Sequence, residues 1–166
     1  MATNTLIQKL FAVDETGVGE SDNGVSNRRQ IETYRATAAI AAGDAVALDL
    51  TQTSNGLRAM CIKPANTGTT GSEIAIGVAE SAIAVGAFGD VILRGIVEEA
   101  KTKGDVVNIA VGDILAAGAA DGKLHNYAVD EGGAATFNLG SHTAIALEAQ
   151  TADSTSRVLV CSPVRG

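Results

Sequence analysis

Tryptophan is absent from this chain of 166 residues, and aromatic residues make up 3% of it. The hydrophobic share is nevertheless 46%, with Ala, Val, Ile and Leu doing the filling. Side chains that small bury little apolar area each, so a lone domain packed with them is modestly stable and gains from association. Cations are also scarce: 12 Lys and Arg stand against 19 Asp and Glu, for a formal charge of −7, and the one adjacent pair is Arg28-Arg29. Neutralising phosphates needs clustered cations, so nucleic acid is excluded as a partner. No apolar run is long enough to span a bilayer, which argues against a membrane partner. The opening Met1-Ala-Thr-Asn-Thr-Leu6 has neither the basic nor the apolar region of a signal peptide, and no Asn-X-Ser/Thr acceptor is present. Synthesis in a cytoplasm is the expectation.

Catalytic signals are missing too. Ser141 and His142 are neighbours, but no Gly-X-Ser-X-Gly elbow accompanies them. Gly118-Ala-Ala-Asp-Gly122-Lys123 has three residues between its glycines where a phosphate loop has four, and no Ser or Thr follows the lysine. Glu98 and Glu99 are adjacent on a strand-like run and would point to opposite faces. With only Cys61, Cys161, His125 and His142 available, a metal site lacks ligands. The cysteines sit in apolar runs and read as two small buried thiols, and His125 reads as a surface or rim residue. No catalytic, cofactor or metal residues are assigned, and an enzyme is not expected.

What the chain does have is punctuation. Gly43-Asp44, Gly89-Asp90, Gly104-Asp105 and Gly112-Asp113 each precede a short apolar run. Glycine takes the positive φ of a tight turn, aspartate bonds nearby backbone amides, and the run that follows reads as a strand. Val46, Leu48 and Leu50 share one face of such a strand, and Ile74, Ile76 and Val78 one face of another. About ten short strands follow from this spacing, with one or two short helical pieces. The fold class is all-β, a small barrel or sandwich, with residues 30–166 as a single domain.

Residues 1–29 read as an N-terminal arm. Leu6, Ile7, Leu10, Phe11 and Val13 are spaced for a short amphipathic helix or an apolar hook that folds onto something else. Residues 14–29 are polar and Gly-rich and cannot offset their own ordering entropy. The pattern is an apolar anchor tied to a compact body.

The run Ile40-Ala-Ala-Gly43-Asp44-Ala-Val46, then Ile76-Gly-Val-Ala-Glu80, then Val85-Gly-Ala-Phe-Gly89-Asp90-Val-Ile-Leu-Arg-Gly95 resembles small β-rich capsid decoration, or cement, proteins of tailed bacteriophages. Val111-Gly-Asp-Ile-Leu115 and Asp121-Gly-Lys-Leu124 keep the same order of turns, so the likeness covers about residues 36–128. It implies a non-enzymatic virion protein on the capsid exterior, made in the host cytoplasm, often a homotrimer, bridging and stabilising major capsid protein subunits. Leu6, Ile7, Leu10 and Phe11, with Arg28 and Arg29, are the candidates for capsid contact. The alternative is a head-fibre or tail-associated adhesin binding host-surface glycans. The poverty of aromatic platforms counts against it.

Overall fold

The computed structural model describes residues 7–10, 28–65, 75–104, 108–117, 122–126 and 142–161. Among them are ten strands and one short helix: β1 (Ile7–Leu10), β2 (Arg28–Ala36), β3 (Ala45–Leu48), α1 (Asn55–Met60), β4 (Cys61–Pro64), β5 (Ala75–Ala79), β6 (Phe88–Lys103), β7 (Ile114–Ala117), β8 (Leu124–Asn126), β9 (His142–Ala146) and β10 (Ser154–Cys161). The chain is all-β.

The strands close on themselves twice. β2, β4, β3, β5 and β6 pair in that order, and β6 returns to β2. A second five-stranded ring runs β6, β10, β9, β7, β8 and back to β6. β6 is the wall common to both. Its first half pairs with β2 from Phe88 to Arg94, and its second half pairs with β10 from Arg94 to Thr102. Strands this short bend into rings because register shifts add local twist, as between Val46 and Ala47 in β3 and between Leu115 and Ala116 in β7. Ring closure removes sheet edges. Among the described residues β1 alone has a single strand partner, β2, with Ile7 opposite Ile31 and Leu10 opposite Arg28.

The two rings are built alike. Ile40-Ala-Ala-Gly43-Asp44 leads into β3 and Ile109-Ala-Val-Gly112-Asp113 into β7. In each turn the aspartate carboxylate accepts from the alanine amide three residues back, at 2.7 Å for Ala41 and 2.8 Å for Ala110. The glycines have φ of +78° and +92°. Each donates across to the end of the facing strand, Gly43 to Ala79 at 3.0 Å and Gly112 to Ala146 at 2.9 Å. A third copy, Ile83-Ala-Val-Gly86-Ala87, keeps the glycine at φ +79° with alanine in the aspartate position, and leads into β6. One βturnβ unit is therefore used repeatedly, with β2, β6 and β10 as successive long strands.

Alternation divides the core. In β3, Ala45 and Ala47 join one buried cluster with Ile92, Leu115, Leu124 and Val158, while Val46 belongs to a second with Tyr34, Ile62, Ile76 and Val91. The small residues let walls approach: a Cβ on Gly77 would run into the Ile92 carbonyl.

Several expectations are corrected. Gly89-Asp90 is no turn; it lies within β6, where a Cβ on Gly89 would collide with the Ile83 side chain and Asp90 accepts from Thr33 at 2.7 Å. That one strand runs for sixteen residues, where short strands were expected throughout. The one helical piece among the described residues is α1, which Ser54 caps through the Leu57 amide. Residues 7–10 form a strand on β2 and not a helical turn, with the ladder pairing one edge of their backbone. His125 is buried in β8 where a rim position was expected, and Cys161 is exposed at the end of β10 where a buried thiol was expected.

Candidate interaction surface

Among the described residues seven polar or charged side chains are buried, Asp44 and Asp49 among them. Asp44 ties the rings together: its carboxylate meets Lys101 of β6 at 2.8 Å, and Gly122 packs against its side chain. The neighbouring Ala45 amide donates to the Gly122 carbonyl at 2.6 Å. The first turn is therefore covered by the second ring. Glu98 holds Arg157 at 2.6 Å, and Glu148 lies 4.0 Å from the same guanidinium. Among the described residues no three of His, Cys, Asp and Glu gather as metal ligands.

Among the described residues Asp49 is an acid with a clearly displaced pKa. Burial alone would raise its pKa, but hydrogen bonds from Thr51, Gln52 and Thr37 outweigh that and lower it to about 2. The Thr51 hydroxyl donates at 2.6 Å and the Gln52 amide at 2.7 Å. This network, with Arg58 donating to the Gln52 carbonyl at 2.7 Å, fixes the loop that carries α1. No residue of α1 is buried, so Leu50, Leu57 and Met60 stand exposed on a polar scaffold.

Two further apolar points come from the repeated turn. The second and third copies carry valine where the first has Ala42, and a large residue three positions on where the first has Ala45. Val85 is 65% exposed and Phe88 63%; Val111 is 66% exposed and Ile114 48%. An apolar side chain at the tip of a glycine turn gives nothing to its own core, and contiguous exposed apolar area marks interaction sites.

The residues singled out from the sequence are distributed as follows. Ile7 and Leu10 lie on β1, which among the described residues has a strand partner on one side only, and Leu6 and Phe11 fall outside the described residues. Arg28 opens β2 opposite Leu10. Arg29 is turned into the body, donating from Nε to the Ile96 carbonyl at 2.7 Å and standing 3.6 Å from Glu80. Its charge clamps β2 to β6. Sequence reading passed over Val85, Phe88, Val111 and Ile114, although the repeated Ile-Ala-x-Gly pattern with valine at x was there to mark them.

Residues 25–162 match a family model described as phage cement protein. No curated protein matches the sequence. Among solved structures the chain is similar to the head fiber gp8.5 N base of bacteriophage phi29, with 17% identity and a TM-score of 0.48 over 80% of this chain and 94% of that one.

Proposed function

The chain belongs to the phage cement protein family and so binds and stabilises a phage capsid, and from that premise we propose that it sits on the shell exterior as a homotrimer bridging major capsid subunits. Family membership over most of the chain is the observation that carries the role. The attachment surface is argued from the free edge. With both rings closed, β1 is the strand that still has unpaired backbone groups on one side among the described residues. An extended segment of a capsid subunit added there would gain main-chain hydrogen bonds, with side-chain pockets giving specificity. Leu6, Ile7, Leu10, Phe11 and Arg28 line or flank that edge in sequence, and Arg29 serves it by fixing the start of β2 on β6.

Trimerisation supplies strength without a large contact per copy. Once one arm is seated, the others bind at high effective concentration, adding ~10²–10⁴ in avidity. Val85, Phe88, Val111 and Ile114 offer apolar area for contact between copies, in keeping with a core of small residues that gains from association.

The test is co-sedimentation with undecorated heads, scored as bound copies per shell. Saturation at a stoichiometry that matches the symmetry sites of the shell supports the role. Deleting residues 1–13 is expected to leave the circular dichroism of the body unchanged and to lower shell occupancy at least tenfold. Full occupancy by the truncated chain would refute the arm as anchor. Binding to host glycans with no binding to heads would favour the adhesin.

A further inference from the structure

We infer that β1 does not close onto its own chain in the assembled protein but onto the β2 edge of a second copy, so that neighbouring copies are joined by exchanged strands. This rests on the homotrimer proposed above and adds what holds its copies together.

Three observations carry it. First, β1–β2 is the pairing that belongs to neither ring, whereas each other pairing described is part of a closed circuit. It can be broken and remade without opening a barrel. Secondly, Leu10 and Arg28 are directly opposed, yet seventeen residues separate them. Antiparallel neighbours need a loop of only 2–5 residues. The connection carries three glycines and no proline, with Asp14, Glu15, Glu20 and Asp22 among its polar residues. Seventeen residues span up to roughly 56 Å when extended. A body of this size has a radius of gyration of roughly 14 Å, so that span exceeds the width of a neighbour.

Thirdly, the register is set by the acceptor and not by the connection. Ile7 opposite Ile31, Gln8 opposite Gln30 and Lys9 opposite Arg29 form the same ladder whichever copy supplies β1. With a loop this long, closure on the parent chain has little advantage over closure on a copy held beside it. Each exchange also commits two bodies where self-closure commits one. Exchange of an identical element between protomers is a low-cost route to oligomers. The outer edge of β1 stays open in either arrangement, so the exchanged strand still faces the shell.

Cysteines at the opposed positions report which chain supplies the strand. The full-length chain carrying Gln8→Cys and Gln30→Cys, with the exposed Cys161 changed to Ser, is oxidised at high concentration and run without reductant. In parallel, chains bearing only Gln8→Cys or only Gln30→Cys are co-refolded and treated with a short bis-maleimide. Exchange predicts bands at two and three times 16.7 kDa for the double variant and a mixed cross-linked dimer in the co-refolded sample. Cross-linking confined to the monomer band overturns the proposal, and so does no cross-link in either sample. Sedimentation of the parent chain separates the two readings. A non-covalent trimer with monomeric cross-links keeps the trimer and rejects the exchange; a monomer rejects both.

Discussion

Asp49 shows how much one buried carboxylate can govern. Its pKa is lowered to about 2 because Thr51, Gln52 and Thr37 donate to the charged form more strongly than burial opposes it. The folded-state value lies below the unfolded one, near 3.8. The stabilisation is therefore complete above pH 4, declines as pH falls towards 2, and is gone below that. It amounts to about 2 kcal/mol. Urea titrations of the wild type and the Asp49→Asn variant between pH 2 and 6 are expected to differ by that amount at pH 6 and to converge at the acid end. A constant difference across the range would show that the hydrogen bonds do not discriminate between the charge states. Nothing in the sequence marked this residue. Asp49 lies one position from an expected strand face, and its donors become partners only because the chain folds back through Thr51 and Gln52.

The repeated turn is the element on which the fold depends, and its copies are not equally tolerant. At Gly112 a Cβ would meet nothing within 4 Å, so Gly112→Ala costs only the strain of a left-handed backbone, about 1–2 kcal/mol. At Gly43 the same Cβ would strike the Glu99 carbonyl of the shared strand. Gly43→Ala is expected to cost at least twice as much, measured by denaturant midpoints at constant slope. Equal losses would mean that the first turn is not clamped against the second ring. Two of these turns were readable as Gly-Asp pairs at 43–44 and 112–113. The pair at 89–90 misled because dipeptide chemistry is local, and in β6 the glycine answers a distant demand, room for Ile83. The longer pattern Ile-Ala-x-Gly with Ala or Val at x marks the turns at 40, 83 and 109, whereas Ile74-Ala-Ile-Gly77, with a larger residue at x, runs into strand β5.

At the scale of the molecule, the all-β class followed from periodicity, but ring closure did not. Closure is set by partners far apart in sequence, such as Glu32 with Val91 and Thr102 with Leu124, which no window of residues reports. The sharing of β6 has a thermodynamic consequence: neither ring is complete without it, so both are expected to unfold together. Far-ultraviolet circular dichroism and calorimetry should give one coincident transition with equal calorimetric and van't Hoff enthalpies. Two separated transitions would mean that each ring keeps its own stability.

The direction of the strands along β6 also decides how the body bears load. β2 runs antiparallel to the first half of β6 and β10 to the second, and hydrogen bonds between antiparallel strands lie across the strand direction. A pull on the start of β2 along its own direction is directed along those strands. It meets the β2–β6 ladder in shear. That ladder hands the load to β6, the one strand both rings share, so a pull on β2 is borne by the whole body and not by one ring alone.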